Sequence, residues 1–167
     1  MPLKRLLKTL LIIAILLSCI GCDQGTKTLA REHLVPGQTL SFMHDIFRLQ
    51  LMENSGSFLG LGGSLPEHLR FTLLTLLVAG ILLAGLGYVL LNPRLDQRFI
   101  PAVSLVLGGG LSNLADRIIH DGQVVDFMNV GLGGIRTGIF NVADLFITAG
   151  TGLLIFFLIR GWMEEEN

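Results

Sequence analysis

Charged residues are scarce in this chain, at 15% of its 167 residues, whereas an average soluble domain carries about 25%. Hydrophobic residues make up 51% and are clustered into long runs. The formal net charge of −1 at pH 7 also lacks the positive excess of a strongly basic nucleic-acid binder. The composition therefore predicts an integral membrane protein with no nucleic-acid partner, and one compact bundle accounts for the length.

Two signatures of hydrolases are also missing. The sequence has no Gly-x-Ser-x-Gly turn, which presents the nucleophile of many serine hydrolases, and no His-x-x-x-His pair, which holds zinc in many peptidases. Cysteine is limited to Cys19 and Cys22, which lie one helical turn apart in the first apolar run. Because a redox pair requires an accessible, activated thiolate, we interpret both as small hydrophobic side chains on one helix face.

Four apolar runs predict four membrane-spanning helices. The clearest covers residues 71–91 without a charge, and its length matches the ~20 residues that cross a bilayer. The predicted spans are residues 6–22, 71–91, 99–117 and 139–160, and the predicted external segments are residues 23–70 and 118–138. The fold class predicted from these runs is a membrane all-α four-helix transmembrane bundle, a single domain over residues 1–167.

The first run also has the pattern of a cleaved secretory signal, because it follows three basic residues and ends at Cys22. Leu16-Leu17-Ser18-Cys19 even resembles the box at which bacterial lipoprotein precursors are cut. A cleaved signal would leave a soluble remainder, yet the remainder here is more membrane-like than the run itself. We therefore predict an uncleaved first span.

The polar segment after the first span contains an alternating stretch. Phe47-Arg48-Leu49-Gln50-Leu51-Met52 alternates apolar and polar side chains, which is typical of a strand with one buried face. Residues 54–57 and 61–64 are rich in turn-forming side chains. Because the segment is too short for a core of its own, we expect a small β-rich element packed on the bundle outside the bilayer.

The third and fourth apolar runs are too short to span a bilayer alone. Their uncharged parts cover only residues 99–115 and 145–159, so helices of ~20 residues must include polar groups at one end. These groups are Asn113, Asp116 and Arg117 on the third helix, and Asn141 and Asp144 on the fourth. We expect both sets at the same membrane edge, where an ionised carboxylate is costly and indicates a functional site.

Asp126 supplies a second acid near this edge. It lies in the apolar stretch Val124-Val125-Asp126-Phe127, within the short connection between the third and fourth helices, so we expect it beside Asp144. Two neighbouring carboxylates in a low-dielectric site share a proton, because both do not readily ionise. In aspartic proteases the charged acid of such a pair activates water and the protonated acid polarises a carbonyl. The pattern therefore predicts a candidate catalytic dyad.

The residues alone leave other interpretations open. Asp116 and Arg117 could form a structural ion pair, and the two acids of the dyad could instead be paired with Arg117 or Arg136. The acids could bind protons or cations in a transporter or binding protein, although the chain has no inverted repeat or paired broken helices. A metal site is a further alternative, with the ligands Asp116, His120, Asp126 and Asp144.

The basic residues favour one orientation in the membrane through their local clustering and not through their total count. Six Lys and Arg residues lie on the side of the termini and six on the other side, so the count itself decides nothing. The basic cluster before the first span and the short loop at residues 94–98 favour cytoplasmic termini. In that orientation the polar membrane edge lies at the outer face.

At these positions the chain resembles lipoprotein signal peptidases, the signal peptidase II family of intramembrane aspartyl peptidases. The resemblance covers nearly the whole length, and its last three motifs together are highly specific. The motifs, in the family's order, are Asp23-Gln24-x-x-Lys27, Asn54-x-Gly56, Gly109-Gly110-x-x-Asn113-x-x-Asp116-Arg117, Val124-Val125-Asp126-Phe127 and Phe140-Asn141-x-Ala143-Asp144.

The resemblance implies an endopeptidase of the bacterial inner membrane that needs no cofactor or metal. Such enzymes remove signal peptides from diacylglyceryl-modified prolipoproteins, on the amino side of the lipidated cysteine. The implied catalytic acids are Asp126 and Asp144, and the implied partners are the prolipoprotein and membrane lipid around a monomer. The residues implied to position substrate or support the site are Asp23, Lys27, Asn54, Gly56, Asn113, Asp116, Arg117 and Asn141. The external segment would form a β-rich extracytoplasmic cradle and a surface helix.

Two positions depart from the family's pattern. After Asn54-Ser55-Gly56 the usual Ala-Ala-aromatic is replaced by Ser57-Phe58-Leu59, which puts the aromatic one position early. Before Asn113 the usual glycine is Ser112. We expect close helix packing to tolerate this exchange between small residues.

Overall fold

A computed structural model describes residues 2–56 and 66–165 of the chain. The helices are α1 (Pro2–His33), α2 (Glu67–Phe71), α3 (Val78–Leu91), α4 (Phe99–Ile119) and α5 (Val142–Glu165), and a π-helical stretch, Thr72–Leu77, joins α2 to α3. The strands are β1 (Leu40–Phe42), β2 (Phe47–Asn54), β3 (Val124–Leu132) and β4 (Ile135–Arg136). Four helical segments of the described chain are long and apolar enough to cross a membrane: Leu3–His33, Thr72–Leu91, Phe99–Ile119 and Val142–Glu164. The predicted bundle with a small β-rich element is confirmed.

Helix α4 occupies the middle of the bundle. In its most apolar stretch 61% of the residues are buried, against 22% or less in the other three spans. Many outward side chains of those three spans are large and apolar, such as Leu17, Ile81 and Phe156, and suit a hydrocarbon surrounding. The buried core between α1, α3 and α4 consists of Ile12, Leu16, Leu82, Val89, Ile100, Leu107 and Leu114.

Small residues let the neighbouring helices approach α4 closely. A methyl group on Gly109 would lie 2.4 Å from the carbonyl oxygen of Ala143, and one on Gly108 would lie 2.7 Å from Cβ of Cys19. Contacts of this kind matter because lipid gives helices no hydrophobic reason to associate, so close packing has to hold them together. Cys19 is buried at this contact as a small hydrophobic side chain, and both cysteines are free.

The four strands form one antiparallel sheet in the order β1-β2-β3-β4. The alternating stretch therefore forms the predicted strand, which is β2 and continues to Asn54. The register between β2 and β3 pairs Met52 with Asp126 and Asn54 with Val124. The sheet thereby brings the end of β2 beside the acid on β3.

Helix α1 is longer than the predicted first span. It continues without a break past residue 22 to His33, so Asp23 and Lys27 lie on a helix and not in an external loop. The end of the apolar run marks where side chains become polar, but no proline stands there to end the helix. The first proline after the run is Pro36, just beyond the helix.

Some predictions fall on residues outside the described ranges. The turn predicted at residues 61–64 and the departure at Ser57-Phe58-Leu59 both lie there. The surface helix likewise stays a prediction.

Candidate active site

Asp126 and Asp144 line the same cavity at the end of the bundle beside the sheet. The cavity has a volume of about 310 Å³, and Asn54, Asn113, Arg117 and Asn141 also lie in its wall. The remaining wall is largely apolar and consists of Val124, Thr137, Gly138, Ile139, Phe140, Leu145 and Thr148. The fold therefore brings together six of the residues that the motifs single out.

Asp144 lies in the first turn of α5 and Asn141 immediately precedes that helix. The Asp144 backbone N–H donates to Oδ1 of Asn141 at 3.0 Å, and the Asn141 backbone N–H donates to Oδ2 of Asp144 at 3.1 Å. This reciprocal pair has the geometry of a capping box, which satisfies N–H groups that a helix start leaves unpaired. Local sequence thus fixes the Asp144 side chain at the helix end, facing the cavity.

Asp126 is held by two side-chain amides. Asn54 donates Nδ2 to one carboxylate oxygen at 2.8 Å, and Asn141 donates Nδ2 to the other at 2.6 Å. Oδ1 of Asn54 accepts the backbone N–H of Gly56 at 2.9 Å, which leaves the Asn54 amide group directed at the acid. Asn141 therefore contacts both acids, one through its side chain and the other through its backbone and side chain.

Asn113 completes the amide network. It donates Nδ2 to Oδ1 of Asp144 at 3.0 Å, while its own Oδ1 accepts from Nδ2 of Asn141 at 3.1 Å and from Nζ of Lys27 at 2.9 Å. The ammonium group has only protons to donate, so it fixes the carbonyl end of Asn113 towards itself. The amide end is consequently left for Asp144.

The environment of Asp126 favours its protonated form. The side chain is 2% exposed, and this burial raises the pKa of Asp126 to about 6. The nearby charge of Asp144 also raises that pKa, whereas the hydrogen bonds from Asn54 and Asn141 lower it. Among the side chains that the structure describes, neither acid forms an ion pair with Lys or Arg, Arg117 and Arg136 included, so the alternative of a structural ion pair with either arginine is wrong for both acids.

Asp116 and Arg117 do not form the ion pair considered from their adjacency. Asp116 pairs with Lys27 at 2.9 Å. Arg117 donates Nη2 to the carbonyl oxygen of Gly56 at 3.2 Å and Nη1 to that of Asn113 at 3.4 Å. Successive residues on a helix point about 100° apart and do not face each other, which is why the two side chains have different partners.

Arg136 lies away from the two acids. It donates Nε to Asn129 at 2.6 Å and Nη1 to the carbonyl oxygen of Asp45 at 2.7 Å. His120, a ligand in the alternative metal site, lies 2.9 Å from Arg31. In the described part of the chain no three His, Cys, Asp or Glu side chains are grouped so that they could hold a metal ion. The four proposed metal ligands are therefore not brought together.

A buried ionic cluster supports the site from behind. Lys27 lies between Asp23 at 2.6 Å and Asp116 at 2.9 Å, and all three side chains are nearly fully buried. Two residues outside the predicted site also belong to this cluster: Gln24 donates to Asp116 at 2.7 Å, and Ser112 donates to Asp23 at 2.7 Å. Gln24 lies within the first motif and Ser112 is one of the departures from the family's pattern, so the sequence carries a signal for both.

These features define a class of protein. It is a helical membrane protein with two carboxylates in one small cavity, at the end of the helical bundle beside the sheet. The model of the signal peptidase II family matches residues 15–160. The chain therefore belongs to the signal peptidase II family, a family of membrane peptidases.

Curated relatives and solved structures agree with this assignment. The chain is 36% identical over 156 residues to the lipoprotein signal peptidase of Pelodictyon phaeoclathratiforme, covering 88% of this chain and 89% of the relative. It is 33% identical over 152 residues to that of Streptococcus thermophilus, covering 91% and 92%. Two solved bacterial membrane enzymes superpose with a TM-score of 0.77 at 26% and 25% identity over 89% of this chain, covering 87% and 92% of theirs. The resemblance seen in the motifs is confirmed. The prediction of a multi-pass bacterial membrane protein is confirmed as well.

Proposed function

We propose that this signal peptidase uses Asp126 and Asp144 to cleave diacylglyceryl-modified prolipoproteins on the amino side of the lipidated cysteine. Prolipoprotein processing is the activity of the family to which the chain belongs. The observation that carries the assignment of the two acids is their common cavity, in which Asn141 contacts both. An alternative as a transporter has no support from these relatives.

The proposed reaction is hydrolysis of one peptide bond by water. The charged acid takes a proton from a water molecule whose oxygen attacks the scissile carbonyl carbon, and the protonated acid donates a hydrogen bond to the carbonyl oxygen. When the tetrahedral intermediate collapses, the carbon–nitrogen bond breaks and the leaving nitrogen takes a proton from the dyad. The products are a free carboxyl end on the signal peptide and a free amine on the cysteine.

The asparagines have a positioning role in this proposal. Two amide donors hold Asp126, and Asn113 and Asn141 donate to Asp144. Fixed donors keep both carboxylates in one orientation, which contributes to rate because the reacting groups need no rearrangement. Arg117, with two donors on carbonyl oxygens, holds the chain near Gly56 at the cavity wall.

The finer topology belongs to the same proposal. We place the termini in the cytoplasm and the cavity at the outer face of the bacterial inner membrane, with a monomer surrounded by membrane lipid. The basic cluster before the first span supports this orientation. The apolar wall of the cavity, which includes Ile139, Phe140 and Leu145, suits a substrate that enters from the membrane.

The function is tested with purified protein and one prolipoprotein prepared with and without the diacylglyceryl group. We expect cleavage of the lipidated form at the bond before cysteine, identified by the mass of both products, and at least tenfold slower cleavage of the unlipidated form. A chelator should leave the rate unchanged. Absence of cleavage, or equal rates on both substrates, would contradict the proposed function.

A further inference from the structure

The buried cluster of Asp23, Lys27 and Asp116 reaches the backbone beside each catalytic acid. Oδ2 of Asp116 accepts the backbone N–H of Val125 at 3.1 Å, and Val125 immediately precedes Asp126. Oδ1 of Asp23 accepts the backbone N–H of Ala143 at 2.8 Å, and Ala143 immediately precedes Asp144. Each carboxylate of the cluster therefore holds the residue next to one acid of the dyad.

Lys27 joins the two halves of this arrangement. Its ammonium group contacts Asp23 at 2.6 Å, Asp116 at 2.9 Å and Oδ1 of Asn113 at 2.9 Å. Three partners use its three protons. The cation therefore connects α1 to α4 and, through the two carboxylates, to the backbone of β3 and the start of α5.

The cluster is too well buried to be a surface ion pair. The exposed fractions are 0% for Asp23, 2% for Lys27 and 1% for Asp116. A buried cluster of charges is costly unless every member has hydrogen-bond partners. Here the excess negative charge is met by two backbone N–H groups, by Ser112 and by Gln24, so the two backbone contacts are part of what makes the cluster stable.

We infer that Asp23 and Asp116, linked by Lys27, are positioning residues that set the separation of the two catalytic acids. Asp116 fixes Asp126 through the Val125 amide, and Asp23 fixes Asp144 through the Ala143 amide. The inference rests on the proposed function for its effect on rate, but the two backbone contacts exist independently of catalysis. A displacement of about 1 Å at a reacting group is enough to slow a reaction by about a hundredfold.

The test uses Asp23→Asn and Asp116→Asn in the full chain, reconstituted in detergent, with Asp96→Asn as the matched control. Asp96 is a surface acid paired with Arg98 at 2.8 Å and lies outside the site. On a lipidated precursor we expect each cluster variant to lower kcat about 10- to 100-fold and to change KM less than twofold. A kcat within twofold of the control in both folded variants would overturn the inference.

The second readout is the backbone amide resonance of each held residue, measured by NMR with ¹⁵N-valine and ¹⁵N-alanine labelling. Asp116→Asn should shift the Val125 amide proton upfield and speed its hydrogen exchange at least tenfold, with a smaller effect at Ala143. Asp23→Asn should give the reverse pattern. A lowered kcat without these residue-specific changes would overturn the inference, because the rate would then be lost by another route.

Two further measurements test the inference even if a cluster variant does not fold. In the unmodified protein both amides should exchange slowly and resonate downfield, and rapid exchange at either would overturn the inference. The same two signals should persist in Asp126→Asn, which has no intended effect on the cluster. Persistence there together with absent cleavage in the unmodified protein would refute the proposed function and leave the positioning contacts standing.

Discussion

Asn141 and Asp144 hydrogen-bond each other twice, at 3.0 Å and 3.1 Å, across the first turn of α5. The same asparagine extends its side-chain amide to Asp126 at 2.6 Å. One residue therefore caps the helix that carries one acid and orients the other acid. The capping role depends on a short acceptor side chain, whereas the link to Asp126 depends on an amide donor of the right length.

These two roles of Asn141 are separable by substitution. Asn141→Ser keeps an oxygen that caps the helix but loses the amide that bonds Asp126 and Asn113, so we expect a loss of stability from those two bonds and a kcat lowered about a hundredfold. Asn141→Ala also loses the cap, at a cost of about 0.5–2 kcal/mol in stability, and should melt at a lower temperature. Thermal unfolding in detergent and steady-state cleavage measure the two effects. Equal melting temperatures for the two variants would contradict the capping role.

Asn54→Ala is expected to shift the pH dependence of cleavage. The hydrogen bond from Asn54 lowers the pKa of Asp126, which burial holds at about 6. Without that donor the charged form is less stable, the pKa rises further, and the ionised form appears only at higher pH. Since Asp126 is the acid whose surroundings favour the protonated form, its pKa sets the alkaline limb of the kcat profile, and that limb should move upward by about 0.5–1 pH unit.

The control for this shift is Asn92→Ala, because Asn92 lies in the turn after α3 and its side-chain oxygen accepts the backbone N–H of Arg94 in that turn. Its alkaline limb should coincide with that of the unmodified protein. A limb that moves downward in Asn54→Ala, or equally in both variants, would contradict the role given to Asn54.

Gly109→Ala tests the close approach of α4 and α5. The added methyl group would lie 2.4 Å from the carbonyl oxygen of Ala143, so the start of α5 must move and carry Asp144 with it. We expect a lower melting temperature and a kcat reduced at least tenfold. Gly80→Ala is the matched control, since a methyl group there meets no atom of the described residues within 4 Å. Similar losses in both variants would show that the contact with Ala143 is unimportant.

Ser112 offers a test of the buried cluster that leaves its charges intact. Its hydroxyl donates to Asp23 at 2.7 Å and accepts from Gln24 at 3.1 Å. Ser112→Ala should destabilise the protein by about 1.5–3 kcal/mol, the range for hydrogen bonds to charged groups. Ser104→Ala on the same helix is the control, because the buried Ser104 hydroxyl has no hydrogen-bond partner among the described residues, and we expect it to be neutral or stabilising. The comparison uses melting temperatures in one detergent.

The spans and the neighbouring acids could be predicted because both follow from length and polarity. Runs too short to cross a bilayer forced Asn113 and Asp144 to one membrane edge, and the short connection brought Asp126 there. Helix α1 could not be bounded in this way, since its polar continuation to His33 contains no proline to end it. Hydropathy shows where the side chains of a helix become too polar for lipid. It does not show where the helix itself ends.

The partners of the buried charges could not be predicted from their order in the chain. Adjacency suggested Asp116 with Arg117, but the helix directs them apart and Lys27 on α1 meets Asp116. The amides of Val125 and Ala143 carry no sequence signal at all, because every residue except proline has the same N–H group. Ser112, expected only to fit as a small residue, also bonds Asp23.

The central claim is that Asp126 and Asp144 together perform the hydrolysis. It is tested most directly by single-turnover cleavage of one lipidated precursor by Asp126→Asn, Asp144→Asn and the surface control Asp96→Asn, each shown to be folded by its melting temperature. We expect the control to match the unmodified protein and each dyad variant to lose at least 1,000-fold in rate, on the order of the ~4 kcal/mol that a general acid or base contributes. A folded variant of either acid that cleaves within tenfold of the control would contradict the account.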